Sequence, residues 1–360
     1  MSNNSSTKKV LIIGHTLKNY PRNSVFINAW QKCTEVVVEE IPNNRWRVLR
    51  FISKLFFRGW RQNFVLIMQP VSLFIWPTLF FRLFWRGQIV IDAFISVYDT
   101  CVYDRQLVNK NSLKALYYYL IDRLTCLIGD IFIFDTLEHR DYFKETFKLS
   151  NSKKTLVIPV AVDWPKIEIL SGKKAEALPR DKFNILFWGN YIPLQGIEYI
   201  LESAGLLRSE ERIHFTLIGN GQTKNRMLNL AQELSLKNVT FLSSIKYEEL
   251  FRYASSADLC LGIFGSTDKA KRVIPNKVLE AMASGKVLIT GYNQSMSNFF
   301  QDGREIIFCQ RADGKSLARK IKDVFGQPER FKEFGLRAKE NIRKNFSLEH
   351  QITIIKDFLR

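Results

Sequence analysis

The stretch Arg272-Val-Ile-Pro-Asn-Lys-Val-Leu-Glu-Ala-Met-Ala-Ser-Gly-Lys-Val-Leu-Ile-Thr290 reads as a helix followed by a strand, and its reading decides the fold. Pro275 suits the first helical position, where its missing N–H is no loss. The helix runs to Ser284, and Val287 to Thr290 is a short apolar run of the kind buried in parallel sheets. Asn276 and Lys277 lie in the first turn, where unpaired backbone N–H groups and the helix dipole favour an anion. Glu280 follows one turn later. A cation at a helix N-terminus suits a diphosphate, and a carboxylate one turn on can accept ribose hydroxyls. A capped surface helix with an ordinary Lys277–Glu280 i,i+3 pair fits the same residues, so chemistry alone leaves both readings open.

Working outward, the same alternation continues on both sides. Upstream are strand 184–188, helix 196–207, strand 213–218, helix 222–234, strand 239–242, helix 247–254 and strand 259–263. Downstream are strand 305–309 and helices from Lys315 onward. Two strand ends open into glycine loops, Gly189-Asn190 through Gln195-Gly196 and Gly219-Asn-Gly221. Glycine there lets backbone approach a ligand, although any doubly wound fold needs tight turns at these places. The stretch Trp164–Lys182 has Pro165, Gly172 and Pro179 without periodicity and reads as a linker.

The first half alternates as well. Val10 to Ile13 is a strand ending at Gly14, followed by a loop to Asn23, a helix over 24–32 and a strand at 36–38. Further strands are read at 64–68, 89–97, 130–135 and 155–159, with helices at 77–85, 113–128 and 137–147. The expected fold is α/β: two Rossmann-like doubly wound domains facing a cleft at the carboxyl ends of both sheets. The boundaries are 1–165, a linker over 166–182, 183–345, and a C-terminal helix over 346–360 placed to pack back on the first domain.

The 360 residues carry 53 Lys and Arg against 35 Asp and Glu, for a net charge of +18, and 46% are hydrophobic. That composition excludes disorder and fibrous repeats. Five scattered cysteines without C-x-x-C spacing suit a reducing compartment, and the polar N-terminus before a short apolar run leads us to expect a cytoplasmic protein. The charge is unevenly placed. Between Glu40 and Asp92 there is no acidic residue, while Arg45, Arg47, Arg50, Lys54, Arg58, Arg61, Arg82 and Arg86 lie among Trp46, Phe57, Trp60, Trp76, Phe80 and Phe84. This is the vocabulary of a lipid interface, and no nucleic-acid motif accompanies it. On a helical wheel Arg47, Arg50, Lys54, Arg58 and Arg61 share one face. Contact with an anionic membrane surface and a solvated basic face on a Rossmann helix both fit that pattern. The twenty residues Gln62–Phe81 lack charge and reach the length of a membrane span, but they are broken by Pro70 and Pro77, so they read as a strand over 64–68, a turn at Gln69-Pro70 and a helix from Pro77 rather than as a span.

The block at Arg272–Thr290 resembles the P-x-K-x-x-E-A-x-A-x-G-K-P-V-I stretch of GT-B glycosyltransferases of the glycosyl-transferase group 1 family, the retaining family four. The resemblance covers the second half through Trp188–Gly196, Ile218–Gly221, Val239–Leu242 and Ala257–Leu261. In the first half it is carried more loosely by Tyr20-Pro-Arg-Asn23, Asp92–Arg105 and Val157–Asp163. It implies a nucleotide-diphospho-sugar donor bound mainly by the C-terminal domain and an acceptor bound by the N-terminal one. By position, Glu280 binds the ribose, the backbone at Ala281 and Met282 faces the phosphates, and Ser244 and Ile245 edge the nucleobase. The loop from Gly189 through Asn190 and Gln195 to Gly196, together with Gly219, lies against the diphosphate, and Gly14 allows close approach of the donor.

Three departures from the family pattern stand out. Arg272 occupies the place of the first Glu of E-x7-E, Asn190 and Gln195 stand where Arg and Lys are usual, and no His lies between Asp92 and Arg105. Arg272 and Lys277 can replace the diphosphate charge lost at Asn190 and Gln195. For the acceptor, Asp99 and then Asp92 are the candidate catalytic carboxylates, each equally readable as a loop cap. His15 is a lesser candidate.

The resemblance implies retaining transfer, with the donor phosphate helping to deprotonate the acceptor on the face of the leaving group. It implies no metal, and no D-x-D site is present. The expected protein is a retaining glycosyltransferase that moves a sugar to a lipid-linked or polysaccharide acceptor, peripheral on the inner face of the cell membrane. The alternative is a catalytically inactive GT-B nucleotide-sugar-binding protein.

Overall fold

Short runs of branched aliphatic and aromatic residues, each too brief for a helix, form the strands of two separate parallel sheets. The computed structural model describes residues 8–15, 17, 20–44, 46–172 and 178–360. The chain divides into two compact units: Met1–Ala161 with Leu348–Arg360, and Val162–Ser347.

The first unit runs β1 (Lys9–His15), α1 (Pro21–Gln31), β2 (Glu35–Ile41), α2 (Arg47–Lys54), β3 (Phe64–Ile67), α3 (Ile75–Phe84), β4 (Gln88–Asp92), α4 (Leu113–Ile128), β5 (Ile131–Phe134), α5 (Leu137–Phe147) and β6 (Lys154–Val157). Its strands lie in the order β2-β1-β3-β4-β5-β6, so the winding direction reverses beside β1 and β3. One face of the sheet is covered by Phe51, Phe74, Phe81, Ile121 and Phe143. The other is covered by Phe26 and Trp30 of α1 with Ile355 and Phe358 of the C-terminal helix Leu348–Leu359. Trp30 and Phe358 meet edge to face with centroids 6.1 Å apart, and Gln351 donates to the Pro159 carbonyl at 2.7 Å.

Two details differ from the sequence reading and one, at residues 62–81, follows it. The basic helix is α-helical only over 47–54 and then widens into a π-helical turn, Leu55–Gly59. That turn brings Leu55 and Gly59 inward, and a Cβ on Gly59 would stand 3.3 Å from the Phe81 ring. Residues 62–81 are the fully buried β3, a turn and the start of α3, and among the described residues no helix is long and apolar enough to cross a membrane. Strand β4 ends at Asp92 rather than at 97.

The second unit runs α6 (Trp164–Ser171), β7 (Phe183–Trp188), α7 (Ile197–Leu206), β8 (Ile213–Ile218), α8 (Lys224–Glu233), β9 (Val239–Leu242), α9 (Tyr247–Ser256), β10 (Leu259–Leu261), α10 (Asn276–Ala283), β11 (Val287–Gly291), α11 (Gln294–Ser297), β12 (Ile307–Cys309), α12 (Gly314–Gly326) and α13 (Pro328–Asn345). The strand order is β12-β11-β10-β7-β8-β9, with the reversal between β7 and β10. Ligands of open α/β sheets bind outside the carboxyl ends of the strands at such a reversal.

Residues 164–171, read from sequence as the start of a linker, form a helix of this unit. The Asp163 side chain accepts from the Lys166 amide at 3.3 Å, capping the first turn, and α6 is tied down where the Ser255 hydroxyl donates to the Ser171 carbonyl at 2.6 Å. The central part of the expected linker, 173–177, lies outside the described residues.

Candidate functional site

The loops after β7 and β8 interlock through their glycines. Gly189 has φ +146° and Gly219 φ +143°, and a Cβ on Gly219 would stand 2.0 Å from the Gly189 carbonyl oxygen. Gly196, at φ +63°, meets the Gly265 amide within 2.4 Å of where its Cβ would be. These glycines are therefore required by backbone crossing, whatever else approaches them. Asn190 is exposed, whereas Gln195 is buried with its Oε1 free of any hydrogen bond.

The start of α10 lies beside this loop. Lys277 is 6% exposed, its Nζ makes no hydrogen bond, and it lies 3.6 Å from the centroid of the Phe187 ring. The same Nζ is 3.1 Å, and the Gln195 Nε2 3.7 Å, from the position a Gly189 Cβ would take. Glu280 is equally buried. Its carboxylate accepts from the Tyr247 hydroxyl at 2.9 Å and from the Trp188 indole N–H at 3.4 Å. The ordinary i,i+3 pair is thus not formed: Glu280 has turned to the two aromatic donors and Lys277 is left without an acceptor.

Burial pushes the Lys277 amine well below its usual range, with the Glu280 charge opposing. It pushes the Glu280 carboxyl upward, against the hydrogen bonds from Tyr247 and Trp188 and the charge of Lys277. Burial and then the Glu280 charge raise the Tyr247 hydroxyl, keeping it a donor. Each Glu280 oxygen retains a second lone pair for an incoming hydroxyl. Tyr247 and Trp188 were not singled out from sequence, where nothing connects them to a glutamate 33 and 92 residues away.

Among the described residues the Asn276 and Lys277 amides have no backbone acceptor, and Val278 is the first to bond back, to the Pro275 carbonyl at 3.0 Å. Those two N–H groups and the unpartnered ammonium point to anion binding at the helix start. Ala281 and Met282, expected to offer backbone to phosphates, are instead fully buried in the middle of α10, where their N–H groups belong to the helical ladder. The half-buried Arg272 sits in the loop before α10. That loop is clamped where Asn293 Nδ2 donates to the Val273 carbonyl at 2.8 Å and the Ser295 hydroxyl to the Arg272 carbonyl at 2.9 Å. Ser244 is exposed and Ile245 half-buried in the β9–α9 loop, ahead of Tyr247.

In the first unit Asp92 is fully buried and held fork to fork by Arg22, at 2.6 and 2.8 Å, with the Arg22 guanidinium 4.7 and 4.4 Å from the Phe26 and Phe94 ring centroids. This geometry makes Asp92 the anchor of a buried ion pair rather than a free proton acceptor. Asp99 is buried at the start of a π-helical turn, Asp99–Asp104, its amide donating to the Ser96 hydroxyl at 2.9 Å. The Ser96 hydroxyl in turn donates to Asp122 at 2.6 Å, and burial pushes the Asp122 carboxyl up to about 6.

A pair that sequence reasoning passed over is Asp135 and His139. Both are buried, with His139 Nδ1 2.9 Å from the Asp135 carboxylate and the His139 amide donating to the Thr136 hydroxyl at 3.1 Å. Their i,i+4 spacing at a strand–helix junction was the available signal. Gly14 is explained by packing, since a Cβ there would meet Leu17 at 2.8 Å and Met68 at 3.0 Å. His15 bonds through Nδ1 to the Ile41 carbonyl at 2.7 Å.

The basic face of α2 is less open than its sequence implies. Lys54 and Arg58 pair with Glu39 at 3.2 and 2.5 Å, and Arg47 donates to the Asn43 side chain at 3.0 Å, while Arg50 and Arg61 are exposed. Arg45 lies outside the described residues. Among the described residues no three His, Cys, Asp or Glu side chains are grouped to hold a metal ion.

Two six-stranded, parallel, doubly wound sheets in one chain, the second with a helix N-terminus, a buried lysine and a buried glutamate at its reversal point, define the GT-B class of fold. Over residues 171–343, a little under half of its length, the chain matches the family described as Glycosyl transferases group 1. It is 33% identical over 108 residues, 30% of its own length, to the colanic acid biosynthesis glycosyl transferase WcaI of Escherichia coli (strain K12). That match takes in 26% of WcaI, and the chain covers less than two thirds of either curated relative it matches. Among solved structures it shares its fold with a sucrose-phosphate synthase of Thermosynechococcus elongatus, at 16% identity and TM-score 0.75 over 98% of both chains. HepE of Anabaena in complex with UDP and glucose superposes at 12% identity and TM-score 0.75 over 98% of this chain and 99% of that one.

Proposed function

We propose that the chain is a retaining glycosyltransferase that moves a sugar from a nucleotide-diphospho-sugar to a lipid-linked or polysaccharide acceptor at the inner face of the cell membrane. The observation that carries the donor half is Lys277: a buried amine without an acceptor, at a helix start with two open amides, beside a glycine loop. A diphosphate supplies the missing acceptor. In this reading Glu280, held by Tyr247 and Trp188, accepts from the ribose hydroxyls, and Ser244 and Ile245 in the β9–α9 loop edge the base. The UDP held by HepE makes uridine nucleotides the first donors to test. In this reading the leaving diphosphate is stabilised by Lys277, Arg272 and the start of α10 without a metal, and a donor phosphate oxygen takes the acceptor proton. The acceptor half rests on the basic and aromatic segment 46–86 of the other unit.

The test is a melting-point panel with UDP-, GDP-, ADP- and dTDP-sugars, followed by radiolabelled transfer on membrane extract. One nucleotide class should raise the melting point, Glu280→Gln should abolish that rise, and label should enter an acceptor. No rise with any of the four refutes the donor site. A rise without transfer or donor hydrolysis replaces this reading with that of a binding protein lacking activity.

A further inference from the structure

The N-terminal unit leaves a set of large apolar side chains in water that its own packing does not explain. Phe57 is 82% and Leu83 72% exposed, and Trp60, Trp76, Phe80 and Phe84 are each more than half exposed. In the C-terminal unit only Ile169, Leu206, Tyr292 and Leu336 are comparable among the described residues. The six are contributed by the π-helical turn after α2, the residue that follows it, and α3. The two elements are stitched together by Phe56, whose ring lies 6.0 Å from Phe80 and 5.1 Å from Phe81, and Phe80 packs on Phe84 at 5.2 Å. Exposed patches of this kind mark contact surfaces.

We propose that this face inserts into the headgroup and acyl boundary of an anionic membrane, with Phe57, Trp60, Phe80, Leu83 and Phe84 entering the apolar layer and Arg50, Arg61 and Arg86 meeting lipid phosphates. The inference builds on the membrane-face part of the proposed function and changes its physics. Lys54 and Arg58, which share the basic face of the helical wheel, both pair with the single carboxylate of Glu39, which offsets one of their two charges. The contact therefore depends on apolar burial, with arginines at its rim, rather than on a basic helix face.

Charge selects the occupant. Arg50, Arg61 and Arg86 are exposed and have no carboxylate partner among the described residues, and no acidic residue lies between 41 and 91. A two-fold contact with a second copy would set this face against itself and oppose its arginines with nothing to answer them. An anionic bilayer offers phosphates to the arginines, a boundary to the tryptophans and hydrocarbon to the phenylalanines.

The experiment is flotation of the full chain with phosphatidylcholine vesicles, with and without a quarter of phosphatidylserine, at low and high salt. Wild-type protein should float with the mixed vesicles and stay bound in high salt, where a purely electrostatic contact is screened. The variant Phe57→Ser, Phe80→Ser, Leu83→Ser, Phe84→Ser should lose at least about 100-fold in partitioning. Phe57→Ser with Leu83→Ser, the two most exposed of the six, should lose about tenfold or more by the same measure and guards against a folding defect in the larger variant. Arg50→Gln with Arg61→Gln and Arg86→Gln should weaken binding only on the mixed vesicles and only at low salt.

Flotation of the serine variants like wild type overturns the proposal. So does a wild-type protein that ignores vesicles but sediments as a dimer through this face, which would make the occupant a second copy. The melting-point rise with UDP should be the same in all of these variants. Its absence from the wild type would refute the donor site and leave the vesicle result standing.

Discussion

Lys277→Met tests whether the unpartnered amine belongs to a ligand or to the fold. In the free protein the amine is buried and forms no hydrogen bond, a condition that costs about 1–3 kcal/mol. The Phe187 ring 3.6 Å away returns at most about 2 kcal/mol of that. Methionine fills nearly the same volume without a polar atom, so the variant should be more stable than wild type by about 1 kcal/mol. For a unit of this size that raises the melting point by about 2–4 °C. UDP affinity should fall about 10–100-fold, the loss of one charge-assisted hydrogen bond.

The pH dependence has a definite sign. Burial lowers the folded-state pKa of Lys277, so between that value and 10.5 the unfolded chain binds more protons than the folded one. Wild-type stability therefore rises with pH through that window, and the variant should lack this slope. A bound diphosphate favours the ammonium, so UDP affinity should fall as pH rises through the same window. Calorimetric melts and UDP titrations of both proteins across pH provide the assay. A variant that melts lower than wild type and binds UDP equally well would refute the reasoning and make Lys277 a structural residue.

Asp92→Ala strands Arg22 without a counter-charge in a buried site and should cost about 3–5 kcal/mol by urea denaturation, much of which Arg22→Leu with Asp92→Leu should restore. A loss under about 1 kcal/mol would mean that Asp92 is not the anchor its geometry indicates. Gly219→Ala forces a Cβ into the Gly189 carbonyl at a φ of +143° and should cost at least about 2 kcal/mol while weakening UDP binding; full retention of both would show that the two loops are independent. Asp122 is held protonated up to about 6 against an ordinary 3.8, so the folded chain binds more protons in that window and stability falls by about 3 kcal/mol as pH rises through it. Denaturation at both ends of the window should show a shallower slope for Asp122→Asn, and an unchanged slope would mean that this carboxyl is not the titrating group.

The elements legible in the sequence are those whose signals are local. Apolar runs of four to seven residues gave the strands their places, Pro275 marked the start of α10, and the glycine pairs 189/196 and 219/221 marked the crossing turns. Where local signals conflict with packing the reading slipped. The amphipathic pattern from Arg47 to Arg61 cannot reveal a π turn that sets Gly59 against Phe81, a contact between residues distant in the chain, and a proline-bearing stretch such as 164–171 resembles a linker until Asp163 is seen capping it.

The sequence by itself determined two doubly wound sheets, a candidate anion site at Asn276–Lys277 and a basic, aromatic segment before Asp92, because each is written in residues that are neighbours along the chain. Only the tertiary structure decided which charges are available. Glu280 is taken by Tyr247 and Trp188, Asp92 by Arg22, and Lys54 and Arg58 by Glu39, whereas Lys277 is left without an acceptor and Phe57 and Leu83 are left in water. The availability of a charge depends on burial and on partners brought together from distant parts of the chain, and neither is a local property of sequence.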